Sequence, residues 1–363
     1  MKIVNIILTS QNGGAEQSFV DYITVLKNLG HQNLAVVKID APYANQVSEL
    51  GVEVKKISNK FGDHDVFAVK ELHKIVQDFG ADVVIAHIGR SSALMKKVLK
   101  KITNRKVFLI AVNHSMNVKR SIGADLIFSV NREIFHRTVD LGQPEDTTFV
   151  IANAVDLEGA ITKAPRVNLQ KQDVITLGAM ARIDDKKGFE FLIRAIAEMT
   201  KLAAEKNLKH KFILKIAGTG PYEYTLRELV KLLKIEDKIE FCGWVKDKKE
   251  FFESIDIFCS ASDNETFGLV LLEAMKYRKP IIATDTDGSK EVLRDKVDGL
   301  IVALKPLQTL DQRIAAIALD LVEKPELLDT LVENSFVRLK EKFSYQALEH
   351  KMKEIVGTAS NSK

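Results

Sequence analysis

The sequence predicts an α/β fold with two parallel β-sheets that carry helices on both faces. One observation is that short apolar runs alternate with amphipathic stretches along the whole chain, which is typical of successive β-strand and α-helix units. Another is the length of 363 residues, which is enough for two domains that each bury a core of their own. We therefore expect two domains rather than one.

The apolar runs set the expected order of elements. Strands are predicted in the first half at 3–8, 34–39, 83–87, 107–113, 126–130 and 148–151. Strands are predicted in the second half at 173–179, 212–217, 239–241, 255–259, 280–283 and 300–302. Helices are predicted over 189–201, 224–233, 269–277 and 345–356, with a frayed end over 357–363. We expect domains over 1–153 and 154–344, a junction near 152–169, and a C-terminal helix over 345–363.

Composition excludes several classes of protein. The start of the chain, Met1–Leu8, is too short for a signal peptide and has the pattern of a first strand. The sequence has no apolar run near the ~20 residues that cross a bilayer. Two cysteines, Cys242 and Cys259, cannot form a disulfide framework, so a reducing compartment is expected. The prediction is a cytoplasmic protein, or one that is peripheral on the inner face of the cell membrane.

Positive charge is concentrated in the first half. Residues 1–153 hold 19 Lys and Arg against 15 Asp and Glu, whereas the remainder holds 34 of each. Between Asp82 and Asp125 there is no acidic residue but nine basic ones: Arg90, Lys96, Lys97, Lys100, Lys101, Arg105, Lys106, Lys119 and Arg120. The run 94–102 predicts a short amphipathic helix with a lysine face. The stretch 90–120 therefore predicts contact with an anionic membrane surface or acceptor; a merely solvated face is the alternative.

Two carboxylates, Glu265 and Glu273, bracket a glycine-containing apolar run near the end of the second half. At helical rise they would lie about 12 Å apart, which suits the two ends of one elongated ligand better than two acids at a single bond. Thr266 is placed to cap the helix, and the amides of Phe267, Gly268 and Leu269 would then face a phosphate. An ordinary amphipathic helix with an acidic start is the alternative.

This segment resembles the E-x7-E signature of retaining glycosyltransferase family 4, whose members have the GT-B architecture. The resemblance implies two Rossmann-like domains that face an interdomain cleft, with the last helix returning to the first domain. It also implies that Glu273 binds ribose hydroxyls and that Glu265 binds the donor sugar.

A second segment, 178–188, resembles the family pattern in which an arginine and, five residues later, a Lys-Gly pair line the diphosphate. By position these residues are Arg182 and Lys187. Fixed cations would stabilise the charge that grows on the departing diphosphate. A charged loop is the alternative, and Lys186 is a neighbouring candidate. With His114 and Glu265, these two cations form the predicted catalytic set.

Further glycines and one tryptophan are predicted to line the nucleotide. Gly218 and Gly220 resemble the family's G-x-G-P turn, with a purely structural turn as an equal alternative. Trp244 resembles a residue of the loop that faces the base, where it could stack. For Trp244 the favoured interpretation is nevertheless partly buried packing.

The Asp-x-Asp pair Asp285 and Asp287 raises the possibility of a divalent metal. Because Arg182 and Lys187 already supply positive charge, we expect no metal and no other cofactor. The nucleotide sugar is a substrate.

In the first half, Gly13 and Gly14 stand where a strand leads into a helix, so their amides could meet a phosphate or a sugar. They are counted among the donor-binding candidates, although the similar Gly-Gly-Ala-Glu loop of the family lies on the acceptor side. Two histidines, His87 and His114, end predicted strands, where the crevice of an open α/β sheet lies. His114 resembles the family histidine near the donor sugar, whereas a structural role is favoured for His87.

Together these features predict retaining, metal-independent transfer of a hexose or related sugar from a UDP- or GDP-sugar. The expected acceptor is a membrane-associated glycan or glycolipid of lipopolysaccharide or cell-envelope polysaccharide synthesis. No nucleic-acid partner is expected. A nucleotide-sugar epimerase of the same fold is the alternative; a dehydrogenase would need the G-x-G-x-x-G fingerprint that the chain lacks.

Overall fold

A computed structural model describes residues 1–11, 13–161 and 168–361 and divides the chain into two compact units. The N-terminal unit comprises Met1–Asp156 together with the segment that begins at Lys342. The C-terminal unit comprises Leu157–Glu341. Part of the predicted junction, residues 162–167, lies outside the described residues. Each unit contains one parallel sheet with helices on both faces, which confirms the predicted α/β fold class.

The sheet of the N-terminal unit has seven strands in the order β3-β2-β1-β4-β5-β6-β7, all paired in parallel. These strands are β1 Lys2–Ile7, β2 Gln32–Lys38, β3 Glu53–Ile57, β4 Val83–His87, β5 Phe108–Asn113, β6 Leu126–Ser129 and β7 Thr148–Val150. The helices are α1 Gly14–Asn28, α2 Ala44–Glu49, α3 Val66–Phe79, α4 Ile88–Leu99 and α5 Arg132–Asp140. The strand order reverses between β1 and β4, so the loops that follow these two strands open a crevice at the carboxyl edge of the sheet.

The sheet of the C-terminal unit has six parallel strands in the order β10-β9-β8-β11-β12-β13. Its strands are β8 Val174–Met180, β9 Lys211–Ala217, β10 Ile239–Gly243, β11 Ile257–Ser260, β12 Ile281–Thr284 and β13 Leu300–Val302. Its helices are α6 Phe189–Glu205, α7 Glu223–Leu233, α8 Lys248–Glu253, α9 Leu269–Lys276, α10 Asp287–Val292, α11 Leu310–Glu323 and α12 Pro325–Lys342. Here the order reverses between β8 and β11, which places the loops after β8 and β11 side by side.

One strand, β3, was not predicted. Its sequence, Glu-Val-Lys-Lys-Ile, contains three charged residues and lacks the apolar run that marks the other strands. β3 pairs only with β2 and forms an edge of the sheet, where charged side chains are common. Its strand conformation is therefore decided by the neighbouring strand rather than by its own hydrophobicity.

The last helix, α13 (Tyr345–Asn361), packs on the N-terminal unit. Its apolar side chains, including Leu348 and Met352, join the core that Tyr22 forms with strands of that unit. The Tyr345 hydroxyl donates to Asp21 Oδ1 at 2.7 Å. The prediction that the chain frays from Gly357 is wrong up to Asn361, since the helix continues to that residue.

Among the residues that the structure describes, every helix is too short or too polar to cross a bilayer.

Candidate functional site

In the C-terminal unit, the loop after β8 lies against the loop after β11. Gly188 adopts the left-handed conformation with φ of 64°, and a Cβ at this position would lie 2.0 Å from the carbonyl oxygen of Ala261. The amide of Asp263 donates to the carbonyl of Lys186 at 3.0 Å. Only glycine therefore permits this close approach. The contact brings the predicted Lys-Gly pair to the start of the E-x7-E segment.

This contact joins two predicted catalytic residues directly. Lys187 Nζ lies 2.8 Å from Glu265 Oε2, and each side chain is largely shielded from solvent. The sequence analysis assigned them separate ligand groups and did not predict that they form an ion pair. Of the two lysine candidates, Lys187 and not Lys186 makes this contact.

Arg182 stands on a turn whose shape depends on Gly218 and Gly220. A Cβ at Gly218 would lie 1.9 Å from the carbonyl oxygen of Ala181, and a Cβ at Gly220 would lie 2.0 Å from that of Ile183. These two carbonyls flank Arg182, so the glycines hold the backbone that presents it. Gly218 and Gly220 thus have the structural role that the sequence analysis gave as an alternative. A direct contact of either glycine with a nucleotide stays a prediction.

The Arg182 side chain itself is 70% exposed, and its Nε lies 3.5 Å from Asp184 Oδ2. Such an exposed, long contact contributes little to stability, since surface ion pairs are typically worth about 0–1 kcal/mol. The guanidinium is thus available to a ligand. Its planar fork of donors matches the oxygens of a phosphate.

Helix α9 begins at Leu269, as its predicted range 269–277 has it, and its N-cap is Gly268, which takes the left-handed conformation with φ of 83°. The predicted cap by Thr266 is wrong, since no side chain caps this helix. Phe267 is buried ahead of the helix, and its backbone packs on Gly288. The first turn of α9 therefore starts at Leu269 rather than at Phe267, and within it the amide of Leu271 donates to the carbonyl of Gly268 at 2.8 Å.

Glu273 lies about one turn inside α9, four residues after its first residue. Its Oε1 lies 2.7 Å from Nζ of Lys248, the first residue of α8. Sequence reasoning missed Lys248, which is separated from Glu273 by 25 positions. The only sequence signal was its place just after the loop that holds Trp244.

Trp244 is 65% exposed. The favoured prediction of partly buried packing is therefore wrong. The reason is that this loop leaves the sheet at β10, an edge strand, where no further strand covers the ring. An exposed indole is available for stacking on a base.

The aspartates of the Asp-x-Asp pair do not face each other as metal ligands. Asp285 Oδ1 lies 2.9 Å from Lys290 Nζ, while Asp287 opens α10 behind a capping box between Thr286 and Ser289. Among the described residues no group of three or more His, Cys, Asp or Glu is placed to hold a metal ion.

In the N-terminal unit, the two histidines that end β4 and follow β5 form a pair. His87 Nδ1 lies 3.1 Å from His114 Nε2, and the rings are stacked with their planes 13° apart. Phe19 and Tyr22 pack edge-on against His87, which is fully buried. His87 therefore has the structural role that was predicted for it, and this role serves the site because His87 fixes the ring of His114.

Burial controls the protonation of this pair. It lowers the pKa of His114 from 6.5 to about 4. Burial, and secondarily the neighbouring His114, holds the pKa of His87 well below its usual value. His87 Nε2 has no hydrogen-bond partner among the described residues. A buried orphan N–H is rarer than a buried orphan acceptor, so His87 Nδ1 donates to His114 Nε2. His114 then carries its own proton on Nδ1 and is a neutral donor.

His114 lines a cavity of about 670 Å³ together with Gly13 and Gly14. Arg90 and Lys38 also line it, so it can receive an anionic or hydroxyl-rich group. Helix α1 begins at Gly14, and its N-cap residue is Gly13, which offers no side-chain cap. Asn12 lies outside the described residues.

Ile88 also lines this cavity and has φ of 63°, an unusual left-handed conformation for a β-branched residue. Such conformations cost about 1–3 kcal/mol and cluster at functional sites. Ile88 follows His87 directly, so the strained turn sets where the histidine pair ends and α4 begins.

The basic stretch 90–120 is partly used for internal contacts. Arg105 donates to the carbonyls of Ala81 and Val76, and Lys96 Nζ donates to that of Ile122 at 2.7 Å. Lys97 and Arg120 contact Asp63, the first through the backbone carbonyl and the second through the carboxylate. The sequence showed no acid near these cations, but the fold supplies one from another segment.

The C-terminal unit is similar in sequence to a known family of glycosyltransferases. Residues 161–336 match the model of the family "Glycosyl transferases group 1". The matched residues make up most of the C-terminal unit. The match begins in the junction between the units and ends inside α12, so it contains Arg182, Lys187, Glu265 and Glu273.

Relatives of the glycosyltransferase extend over the whole chain. The lipopolysaccharide core biosynthesis glycosyltransferase LpsE of Rhizobium meliloti (strain 1021) is 25% identical over 342 residues, which are 93% of this chain and 94% of that protein. LpsD of the same organism is 24% identical over 351 residues, 96% of each chain. The chain as a whole is therefore a glycosyltransferase.

Solved structures of glycosyltransferases share the fold. The crystal structure of Anabaena Alr3699/HepE in complex with UDP is similar with a TM-score of 0.84 at 18% identity, covering 99% of this chain and 100% of that one. The lipopolysaccharide outer core galactosyltransferase WaaB, in its apo form, gives a TM-score of 0.77 at 17% identity, with coverage of 99% and 100%. The glycosyltransferase thus has the GT-B fold of two Rossmann-like domains.

Proposed function

We propose that this glycosyltransferase moves a hexose or related sugar, with retention of anomeric configuration and without a metal, from a UDP- or GDP-sugar. The acceptor is a membrane-associated glycan or glycolipid of lipopolysaccharide or cell-envelope polysaccharide synthesis. The observation that carries the proposal is the contact between Lys187 and Glu265 at 2.8 Å, because it places a cation beside the carboxylate assigned to the donor sugar.

The reaction breaks the bond between the anomeric carbon and a diphosphate oxygen, and the electron pair goes to the diphosphate. An acceptor hydroxyl oxygen bonds to the anomeric carbon, and its proton passes to the departing diphosphate. Arg182 and Lys187 meet the charge that develops on the leaving group, and the first amides of α9, from Leu269, add a fixed partial positive charge. Once the donor is bound, these groups are in place before the bond breaks, so the chemical step itself needs little reorganisation.

We infer that the ion pairs of the site exchange partners on donor binding. Lys187 turns from Glu265 to the diphosphate, and Glu265 accepts from hydroxyls of the donor sugar. Lys248 holds Glu273 in the same way until ribose hydroxyls take its place. Trp244 is the stacking surface for the base. The assignments of Glu265 and Glu273 follow the family pattern.

Metal independence is proposed because cationic side chains already occupy the role of a divalent ion on the diphosphate. Transfer should continue at the same rate in EDTA and should gain nothing from added Mg²⁺ or Mn²⁺. A metal requirement would contradict this part of the proposal.

His114 and the glycines Gly13 and Gly14 are proposed to bind substrate in the N-terminal unit. His114, as a neutral Nδ1 donor, suits a sugar hydroxyl or carbonyl better than a phosphate. The basic stretch 90–120 is proposed to face an anionic membrane surface, which places the protein at the inner face of the cell membrane. The names of LpsE, LpsD and WaaB support lipopolysaccharide synthesis as the process. They do not favour the epimerase alternative.

Donor identity is tested by thermal shift with UDP-, GDP- and ADP-sugars, followed by transfer assays with the sugar that stabilises the protein. The anomeric configuration of the product, read by proton NMR, tests retention. Stabilisation by none of these nucleotide sugars would contradict the proposal. Isomerisation of the donor in the absence of any acceptor would instead support the epimerase.

A further inference from the structure

Three large apolar side chains stand exposed close together in the N-terminal unit. Phe61 is 66% exposed, Val66 is 70% exposed and Phe67 is 79% exposed. We call these three residues the apolar knob. Single exposed apolar residues are common on soluble proteins, but a group of them, including two aromatic rings, marks an interaction surface.

The segment that carries the knob is well fixed by hydrogen bonds. Asp65 caps α3 by accepting from Ala68 at 3.0 Å, and its other oxygen accepts from the amides of Lys60 and Phe61. These bonds lower the pKa of Asp65, so the carboxylate keeps its charge. Asn59 donates to the carbonyl of Gly62. The rings are therefore exposed by an ordered turn rather than by a loose loop.

The knob is tied to the basic face of α4. Lys97 Nζ donates to the carbonyl of Asp63 at 2.5 Å, and Arg120 Nε lies 2.6 Å from Asp63 Oδ2. Asp63 stands between Phe61 and Val66 in sequence, so the cations border the knob directly.

The same two cations line an open cavity of about 680 Å³, together with Lys96 and Lys100. Its apolar lining includes Leu99, Val107, Leu109 and Ile122. Asp125 is also present, but its carboxylate accepts from the amide of Leu109 at 2.8 Å. Burial, and secondarily repulsion from Lys100, lowers the pKa of Lys96. The cavity thus offers crowded positive charge over an apolar floor.

We infer that the apolar knob inserts into the headgroup region of an anionic bilayer while Lys96, Lys97, Lys100 and Arg120 hold its phosphates. Charge complementarity and the adjacent apolar surface together select this occupant, since exposed aromatic rings beside lysines are the pattern of interfacial binding. The inference rests on the proposed membrane-associated acceptor and names the surface that meets the membrane.

The test is cosedimentation of the full chain with vesicles of phosphatidylcholine alone or mixed with phosphatidylglycerol. The variant Phe61→Ser with Phe67→Ser should lose at least about tenfold in binding to the mixed vesicles. The matched control is Tyr224→Ser with Leu232→Ser, which removes two exposed apolar side chains from α7 of the C-terminal unit and should bind like the wild type. Lys97→Glu with Lys100→Glu should abolish the preference for anionic vesicles.

A second readout does not depend on affinity. In Phe67→Trp, the added indole should shift to shorter emission wavelengths with anionic vesicles, whereas the parent protein, whose only tryptophan is Trp244, should not. Equal binding of wild type and the knob variant, or no emission shift, would overturn the inference. A change of oligomeric state in the knob variant would also overturn it, because the knob would then be a contact between copies of the chain.

Failure of this inference differs from failure of the proposed function. Phe61 and Phe67 are not among the residues assigned to donor binding, so in vesicle-free solution the knob variant should show a normal thermal shift with its nucleotide sugar. If that shift is normal and vesicle binding is unchanged, the membrane surface is wrong and the glycosyltransferase proposal stands.

Discussion

The C-terminal unit carries its candidate site as paired, partly exposed charged side chains, whereas the N-terminal unit carries its own as two neutral histidines, His87 buried and His114 at the wall of a cavity. Lys187 pairs with Glu265 and Lys248 with Glu273, and each of these side chains keeps part of its surface exposed. His87 and His114 stack in a pocket whose burial keeps both uncharged. The two sheets reverse their strand order in the same way, so the difference comes from the loops and not from the fold.

The difference between the charged pairs and the neutral histidines indicates that the two units bind different parts of the substrates. Ion pairs that exchange partners suit a ligand that arrives and leaves with several negative charges. A neutral, tightly packed donor suits a group that must keep one orientation, because turning it would cost its hydrogen bond and its packing. We expect substitutions in the C-terminal unit to act on phosphate binding, and substitutions in the histidine pair to act on orientation and pH dependence.

The largest loss of activity is expected when a cation of the C-terminal unit is removed. Arg182→Ala or Lys187→Ala should lower kcat/KM by about 100- to 1000-fold, the range for loss of one preorganised donor at a developing charge. Lys201→Ala, an exposed lysine on α6 of the same unit, is the control and should retain full activity. Steady-state kinetics with circular dichroism for folding checks this. Wild-type turnover in either variant would remove the proposed role.

The next largest effect is a loss of stability, expected when the close backbone contact between Gly188 and Ala261 is disturbed. Gly188→Ala should lower the free energy of unfolding by about 3 kcal/mol or more, because the new Cβ meets the carbonyl of Ala261 and the residue is strained. Gly243→Ala is a matched control, since Gly243 also has positive φ, at 66°, but has nothing within 4 Å of the added Cβ. It should cost only about 1–2 kcal/mol for the left-handed conformation. Urea denaturation measures both; equal losses would show that the Ala261 contact is unimportant.

A smaller effect is expected from acid on the histidine pair. Burial keeps His87 and His114 neutral in the folded protein. In the unfolded chain both histidines regain their ordinary pKa of 6.5 and bind a proton when the pH is below that value. The unfolded state thus binds more protons, so the free energy of unfolding falls as the pH drops from 6.5 towards 4. In the His87→Gln, His114→Gln variant this part of the pH dependence should disappear. Urea denaturation at several pH values tests this, and parallel losses in both proteins would contradict it.

The smallest effect is expected at the more exposed ion pair of the C-terminal unit. Lys248→Ala should change the free energy of unfolding by less than about 1 kcal/mol, since exposed pairs contribute little. Glu253→Ala, on the same short helix, is the control for helix stability. A loss of several kcal/mol on urea denaturation would show that the contact with Glu273 is structural rather than exchangeable.

Sequence patterns predicted the fold because parallel strands are buried on both faces and therefore appear as apolar runs. They failed for β3, whose charged sequence becomes a strand only beside β2. They identified Arg182, Lys187, Glu265 and Glu273 as candidates, because the family pattern is carried by residue type and spacing.

The ion pairs between side chains and the exposure of Trp244 could not be predicted from residue type and spacing. Lys187 meets Glu265 and Lys248 meets Glu273 only after the loops fold together. The exposure of Trp244 depends on its loop leaving an edge strand. The N-cap of α9 is Gly268 in the left-handed conformation, whereas the capping rule pointed to Thr266.

The central claim is that cations of the C-terminal unit bind the diphosphate of the donor. Calorimetric titration with the preferred nucleoside diphosphate and with its free nucleoside tests this most directly, because the two ligands differ only in phosphate. In the wild type the diphosphate should bind far more tightly than the nucleoside. In Arg182→Ala with Lys187→Ala that advantage should shrink by at least about 100-fold while nucleoside binding stays the same. An undiminished advantage in the folded variant would contradict the account.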